Sequence, residues 1–278
     1  MSEQQDEMSF WEHLETLRWT LFRCVIALIV FAIGAFISMF ELFDSVILAP
    51  TRSDFILYRG LCKITTTIPL MPDFCDDTYL VKIFNVKLAS PFFFHMSTSF
   101  WLALLVTFPY LVYEIWKFIR PALYDHEKKN IRWAFVFGTI MFFTGCAVGY
   151  FLVFPMTLRF LATYRLSEAI AEQVSLESYI DTFIMMVFLM GIIFEMPLVS
   201  WLLSKLGLLT RSFFNKYRRH AIAGLLILAA FITPSSDPFT LGTVFFPLYG
   251  LYELSAFFVK KAAKEDEDET GTEIVKYE

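Results

Sequence analysis

A single carboxyl group inside a long apolar stretch is the first feature of this sequence that suggests chemistry. Residues 183–203 read FIMMVFLMGIIFEMPLVSWLL, and Glu195 is the one ionisable side chain among them. Pro197 has no backbone N–H, so the carbonyl of Ile193 loses its helical partner and a kink is expected there. A carboxyl group and a free carbonyl then form one polar patch, in which desolvation favours the protonated acid. We interpret Glu195 with Pro197 as a binding site; a structural hydrogen bond between helices is the alternative.

A second group of acids lies near the N-terminus, in residues 9–21, which read SFWEHLETLRWTL. Glu12, Glu15 and Thr16 are spaced i, i+3 and i+4 and therefore share one face of a helix, while apolar residues recur on another face. Ser9 and Glu12 have the spacing of a capping box. We predict an interfacial helix over residues 9–21 with an acidic face toward water. A merely solvated face is the simpler interpretation of these acids.

Other arrangements that could do chemistry are missing from the apolar stretches. The sequence has no Ser–His pairing, aspartate dyad or set of zinc ligands there, and HEKKN at residues 126–130 lacks the second histidine of a zinc motif. We therefore expect no enzyme activity, no metal and no cofactor. Cys62 and Cys75 share the loop after the first apolar stretch and could form a disulfide if that loop faces an oxidising compartment. Two free thiols are the alternative.

The elements that must position these residues are membrane spans. The 278 residues are 57% hydrophobic, against about 45–50% in soluble domains, and apolar runs approach the ~20 residues of a transmembrane helix. We predict an all-α integral membrane protein with one six-span domain over residues 1–260 and a disordered acidic tail over 261–278. A loop over residues 41–90 forms an outer cap, with a short strand or hairpin near its end. The spans are Cys24–Phe40, Pro91–Ile115, Trp133–Met156, Tyr179–Leu203, Ala221–Ile232 and Phe239–Val259.

The lengths and flanking charges of the spans give two further expectations. The uncharged runs of the fifth and sixth spans have twelve and fourteen residues. As helices they cover only about 18–21 Å of a ~30 Å hydrocarbon core, so a locally thinned bilayer or snorkelling flanks are expected. Orientation follows the distribution of Lys and Arg. With the N-terminus inside, 16 of the 23 basic residues lie on the inner side and 7 outside, which predicts that both termini are cytoplasmic.

Six short motifs occur in order along these spans and loops. They are HLETLR (13–18), ASPFFF (89–94), WKFIRPALYDHEKK (116–129), GYFLVFP (149–155), FEMP (194–197) and ITPSSDP (232–238). From about Met8 to Lys260 the chain resembles the TatC family, the multispanning subunit of the twin-arginine protein translocase. Each motif is short, but their order and their placement against six predicted spans make the resemblance specific.

The resemblance implies a binding site for signal peptides on the cytoplasmic side. Proteins of this family receive folded precursors whose N-terminal signal carries two consecutive arginines, and carboxylates bind guanidinium groups in a bidentate geometry. Glu127 is implied as a signal-binding acid. Where the family has a glutamate this chain has Thr16, so Glu12 or Glu15 is expected to replace it. The implied signal-peptide-binding residues are Glu127, Phe118, Arg18, Glu15, Glu12 and Leu14.

The resemblance also implies the shape of the bundle and its partners. Glu195 and Pro197 would lie in the concave face of a glove-shaped six-helix bundle and contact a single-span partner helix of the TatA/TatB type. Pro50 and Asp237 match outer-side positions that affect partner or signal contacts. The resemblance implies a receptor and assembly scaffold in the cytoplasmic (inner) cell membrane, with further copies of itself and the lipid bilayer as partners, no nucleic acid, and export driven by the proton-motive force. The alternative function is a proton-coupled small-solute transporter using Glu195, although no internal repeat is visible.

Overall fold

The computed structural model describes residues 10–65, 80–119, 125–163, 173–205, 207–235 and 237–259; at residues 10, 63–65, 119 and 125–134 it describes the backbone alone. The described residues are almost entirely helical. The helices are α1 (Phe10–Leu42), α2 (Ile56–Thr65), α3 (Ser90–Ile119), α4 (Asp125–Val148), α5 (Phe154–Thr163), α6 (Leu176–Ile193), α7 (Met196–Lys205), α8 (Arg211–Ile232) and α9 (Pro238–Phe258). Two short strands, β1 (Ile83–Phe84) and β2 (Val174–Ser175), pair in parallel.

These helices form a six-membered transmembrane bundle, which confirms the predicted all-α membrane fold. Its members are α1, α3, α4 joined to α5 by one π-helical turn, α6 joined to α7 across a break, α8 and α9. Among the described residues, five stretches are long and apolar enough to cross a membrane: Trp11–Thr51, Ser90–Phe118, Phe135–Thr163, Leu176–Lys205 and Pro238–Phe258. The sixth member, α8, falls short of that apolar length because its first half carries Arg211, Lys216, Arg218 and Arg219.

The expected separate interfacial helix at residues 9–21 is wrong within the described part of the chain. Residues 10–42 form one helix of 33 residues, about 50 Å long at 1.5 Å per residue. The sequence offers no proline anywhere in this segment and no glycine before Gly34, so nothing interrupts the backbone hydrogen bonds between the acidic segment and the span. The proposed capping serine, Ser9, lies outside the described residues. Glu12 and Glu15 therefore lie near the N-terminal end of a helix that continues without a break into the first span.

The fifth and sixth spans are the two shortest of the six, as predicted, although their helices are longer than the uncharged runs in the sequence. Helices α8 and α9 have 22 and 21 residues, so each covers about 32 Å, close to the thickness of a hydrocarbon core. What is short in α8 is the apolar segment, residues 221–232. An uncharged run underestimates helix length, because a helix continues through charged residues once its end leaves the bilayer.

Glycines bring α4 and α6 into close contact. A Cβ added at Gly145 would lie 2.6 Å from the carbonyl oxygen of Met190, and one added at Gly191 would lie 2.5 Å from the Sγ of Cys146. Small residues allow such close backbone approach between helices in a membrane, where packing replaces the hydrophobic driving force. The third and fourth spans are therefore fastened along a glycine-lined seam.

The side of the bundle opposite the N-terminus carries an ordered cap, here named the cap side. After α1 the chain makes a π-helical turn at Phe43–Ile47 and a 3₁₀ turn at Ala49–Thr51 before entering α2. The predicted strand at the end of the first loop is present as β1, but it pairs with β2 of the next loop on the cap side, and no hairpin forms within the described residues. Side-chain hydrogen bonds, described below, tie this cap to α5 and α6.

Candidate functional site

A groove opens where the first turns of α1 meet the last turn of α3. It has a volume of about 470 Å³, and we call it the N-terminal groove; its lining residues are Glu12, Glu15, Thr16, Trp19, Arg23 and Lys117. The helical spacing of the α1 residues puts them on one side of the rod. Both glutamates are exposed, so their carboxylates can be reached by a charged ligand.

Contacts between α1 and α3 hold the groove in place. The ring of Phe118, near the end of α3, stacks on His13 with 4.3 Å between ring centroids. Further along, the Nε and Nη2 atoms of Arg23 each lie 3.0 Å from Oε2 of Glu114. The resemblance implies Phe118 beside Glu127, which stays a prediction; the structure places the Phe118 ring on His13 of α1.

Other predicted signal-binding residues lie apart from the groove or beyond what is described. Leu14 and Arg18 are spaced i, i+4 and lie roughly opposite the groove-lining stripe at 100° per residue. The guanidinium of Arg18 packs over the ring of Trp19, 5.5 Å from its centroid. Glu127 lies in the first turn of α4, but its side chain is outside the described part of the structure. Its proximity to the groove stays a prediction.

The kink predicted at Pro197 is confirmed, and it forms the environment of Glu195. Helix α6 ends at Ile193, Phe194 and Glu195 form a turn, and α7 begins at Met196. The backbone N–H of Glu195 donates to the carbonyl of Ile192 over 3.0 Å, which is a tighter turn than an α-helix makes. Pro197 is buried in the first turn of α7, where its missing N–H leaves no unpaired donor.

The carboxylate of Glu195 is buried against α4. Both of its oxygens are inaccessible to solvent and have no hydrogen-bond partner among the described residues. A Cβ added at Gly138 would lie 2.9 Å from Oε2 of Glu195, so this glycine makes the space that the carboxylate occupies. An unpaired buried carboxyl group is costly in a folded protein, which is consistent with a group that awaits a partner.

Glu195 is separate from the apolar hollow of the bundle. That hollow, of about 330 Å³, is lined by residues of α1, α3, α4 and α6 in their cap-side halves, among them Met39, Trp101, Tyr150 and Phe188. Glu195 is not one of its lining residues. It lies two turns beyond Phe188 along the fourth span, toward the N-terminal side.

On the cap side, Pro50 is buried, and its carbonyl oxygen takes part in the hydrogen bonds that hold the cap. The hydroxyl of Tyr58, itself fully buried, lies 3.0 Å from the carbonyl oxygen of Pro50 and 3.1 Å from that of Pro155. The hydroxyl of Tyr179 donates to the carbonyl of Ile47. Any effect of Pro50 on outer-side contacts would therefore act through the position of the cap.

The cysteines of the first outer loop are only partly described. Cys62 is disulfide-bonded, whereas Cys24 and Cys146 are free. Cys75 lies outside the described residues, so its pairing with Cys62 stays a prediction. Among the described residues, no group of three or more His, Cys, Asp or Glu side chains could hold a metal ion.

Asp237 caps α9 at the cap side. Its Oδ2 accepts from the backbone N–H of Thr240 over 2.8 Å, its Oδ1 accepts from the Thr240 hydroxyl over 2.6 Å, and the Ser235 hydroxyl also donates to it. Partial burial by itself would raise the pKa of Asp237, but these hydrogen bonds outweigh it and hold the pKa below its usual value. Asp237 thus has a structural role that is sufficient to explain its presence in the ITPSSDP motif.

Replacing Asp237 by alanine is expected to lower the free energy of unfolding by about 1 kcal/mol, because the cap of α9 is lost. Since the folded-state pKa is depressed, the ionised cap stabilises the protein above the unfolded-state pKa, about 3.9, and this contribution fades as the pH falls through the lower folded-state value. Thermal unfolding of the purified protein in detergent at pH 7 and at pH 3 measures both effects. Asp237→Asn is the control, since asparagine caps equally well without a charge; a loss equal to that of alanine would contradict the assignment.

Sequence reasoning missed two residues that the structure connects to these sites. Glu114 was overlooked as a partner for Arg23, and Gly138 as the space for Glu195. The signal for Glu114 was available, since it is a lone acid inside the predicted second span. No sequence signal connects Gly138 with Glu195, because residues 57 positions apart meet only through the packing of α4 against the fourth span.

Comparisons with known proteins agree with this architecture. A family model described as "Sec-independent protein translocase protein (TatC)" matches residues 12–247. The Sec-independent protein translocase protein TatC of Blattabacterium is 35% identical over 94% of this chain and 99% of its own length. Its counterpart from Escherichia coli K12 is 29% identical over 91% of this chain and 89% of its own length. A crystal structure titled "Twin Arginine Translocase Receptor- TatC" superposes with a TM-score of 0.65 at 28% identity, covering 89% of this chain and 97% of the other.

Proposed function

Because the chain belongs to the TatC family of Sec-independent protein translocase proteins, we propose that it is the receptor and core scaffold of a twin-arginine translocase. In this role it binds the twin-arginine signal peptides of folded precursor proteins at the cytoplasmic face of the inner cell membrane, with both termini in the cytoplasm. It is a multi-pass membrane protein of a transport system, and the family to which it belongs is described as a translocase component.

The observation that carries the proposal is the N-terminal groove. It offers two exposed carboxylates, Glu12 and Glu15, on a rod that continues into the first span. Carboxylates of this kind bind guanidinium groups through paired, charge-assisted hydrogen bonds, and Trp19 adds an aromatic face of the kind on which guanidinium groups pack. Thr16, at the position of the family's glutamate, also lines the groove, and Glu12 or Glu15, both of which precede it on α1, takes over its role.

Glu127 extends the same site in this proposal. The end of α3 and the start of α4 are separated by residues 120–124 alone, so the first turn of α4 begins on the side of the bundle that holds the groove. A third carboxylate there would let two consecutive arginines find separate partners. Lys117, which also lines the groove, offsets part of its negative charge.

Glu195 provides the second functional surface in this proposal. We infer that it receives a polar group of a single-span TatA/TatB-type partner helix, or of an inserted signal, because both carboxylate oxygens are buried and lack a hydrogen-bond partner among the described residues. Such an acid inside a membrane protein is usually paired or faces a pathway. The protein itself performs no covalent chemistry, and export draws on the proton-motive force, with further copies of the chain in the same complex.

A proton-coupled carrier of small solutes, using Glu195, was the alternative. The family match to a protein translocase over residues 12–247 does not favour it. A carrier would move solute alone in vesicles, without a precursor protein, and this separates the two functions experimentally.

The proposed function is tested by crosslinking a photoreactive twin-arginine signal peptide to the protein in native membranes. Wild type is compared with Glu127→Ala, Glu12→Ala and Glu15→Ala. Loss of a charge-assisted contact is worth about 1.5–3 kcal/mol, so crosslinking at limiting peptide should fall roughly tenfold or more for Glu127→Ala and for one N-terminal variant.

A matched control for these variants is Glu177→Ala, which removes an exposed carboxylate on the cap side, 2.8 Å from the Nζ of Lys87. Crosslinking should be unchanged in this variant. If crosslinking never occurs, or if it persists in all three variants, the acids are only a solvated helix face and the proposed receptor function is wrong.

A further inference from the structure

An ion pair lies at the end of the N-terminal groove furthest along α1. The Nε of Arg23 donates to Oε2 of Glu114 over 3.0 Å, its Nη2 lies 3.0 Å from the same oxygen, and the hydroxyl of Tyr110 donates to Oε1 over 3.1 Å. The Glu114 side chain is only 3% exposed, while that of Arg23 is 38% exposed. The pair therefore has a buried acidic end between α1 and α3 and a basic end that opens into the groove.

Arg23 is fixed at this position by more than one group. Its Nη2 also donates to the hydroxyl of Thr20 over 3.3 Å, and Thr20 is buried. One hydrogen bond and a second ion-pair contact to the same carboxylate, together with the hydrogen bond to the preceding turn, leave the guanidinium little rotational freedom. If Arg23 were free to move, its guanidinium would pair with the carboxylates of the groove and compete for them with a cationic ligand.

Glu114 also affects the net charge of the groove. The four charged lining residues, Glu12, Glu15, Arg23 and Lys117, cancel one another. Adding the carboxylate of Glu114 makes the total −1. Without Glu114, the charge at the groove would be more positive by one unit, and its long-range attraction for a cation would be weaker.

From this geometry we propose that Glu114 is a positioning residue for cationic peptide binding: it holds Arg23 at the end of the groove and offsets the positive charge of that guanidinium. The inference rests on the proposed function, because it concerns the specificity of the same groove. Glu114 does not touch the ligand. It acts through Arg23, by occupying that guanidinium, and through its own charge, by attracting guanidinium groups of the ligand.

A purely structural role makes a different prediction, and this allows a test. Removing one partner of a buried ion pair leaves an uncompensated charge and destabilises a protein, whereas replacing both partners together is often close to neutral. For the groove, Glu114→Gln gives a net charge of zero, but Arg23→Gln combined with Glu114→Gln returns it to −1. The double variant therefore restores charge without restoring the ion pair.

The experiment measures the dissociation constant of a fluorescent peptide with two consecutive arginines for the full-length protein in nanodiscs, at several salt concentrations. Glu114→Gln is expected to weaken binding by roughly three- to tenfold at low salt and to flatten its salt dependence. The double variant is expected to recover most of the affinity and the salt dependence. Glu177→Gln, which removes one partner of an ion pair on the cap side, should leave both unchanged.

Three outcomes would overturn the inference or the function beneath it. If the single and double variants bind equally weakly, the contact between helices matters and the charge does not. If Glu114→Gln binds like wild type while Glu12→Gln or Glu15→Gln weakens binding, the inference fails and the proposed function stands. If none of the groove variants changes binding, the proposed function fails as well. Melting temperatures of all variants identify any that fail to fold, and the double variant keeps the test valid if Glu114→Gln does.

Discussion

Replacing Gly145 by alanine is expected to destabilise the bundle by about 3 kcal/mol or more, because the added methyl group overpacks the seam between α4 and α6. It would lie 2.6 Å from the carbonyl oxygen of Met190 and 2.6 Å from the Cβ of Phe194. Both atoms are close to the backbone and cannot rotate away, so one helix must shift. Thermal unfolding of the purified protein in detergent measures the loss as a lower melting temperature.

The displacement would reach the intramembrane site as well. Phe194 immediately precedes Glu195 in the turn between α6 and α7, so a shift of this turn moves the carboxylate away from the space at Gly138. We therefore expect export of a twin-arginine precursor to fall in the same variant. Gly34→Ala is the matched control, since an added Cβ there meets nothing within 4 Å and alanine favours the helix by roughly 0.5–1 kcal/mol. Equal melting temperatures for both variants would contradict the close seam.

Replacing Glu195 by methionine is expected to stabilise the isolated protein while abolishing its coupling to a partner helix. Methionine has a similar length and flexibility and no hydrogen-bonding need. The carboxylate oxygens have no partner among the described residues, and an unsatisfied buried polar group costs about 1–3 kcal/mol. The free energy of unfolding in detergent should therefore rise by an amount in that range.

Binding of the partner helix should weaken in the same variant, although the isolated protein becomes more stable. If Glu195 receives a polar group of a single-span partner, the methionine variant leaves that group unpaired inside the membrane, and site-specific crosslinking to the partner should fall at least tenfold. Glu195→Gln is the control, because an amide keeps the hydrogen-bonding capacity without the charge. A methionine variant that is less stable than wild type and still crosslinks normally would show that the carboxylate is a structural group.

The sequence predicted the features that depend on local chemistry. The apolar runs located the spans, because a chain of this composition must bury its backbone polar groups in helices inside a bilayer. Pro197 indicated the break in the fourth span, because its missing N–H removes a hydrogen bond from the preceding turn. The acids of residues 9–21 were assigned correctly to one helical face, since spacing alone fixes which residues share it.

The tertiary structure decided how these elements continue and meet. That β1 pairs with β2 and that Arg23 pairs with Glu114, 91 positions away, both depend on segments distant in sequence. Long-range pairing reflects packing geometry and the desolvation of facing side chains, and neither leaves a periodic pattern in one sequence. The same holds for Glu195: the sequence determined that an acid lies beside a helix break, and only the approach of Gly138 on α4 decided that its carboxylate is buried there.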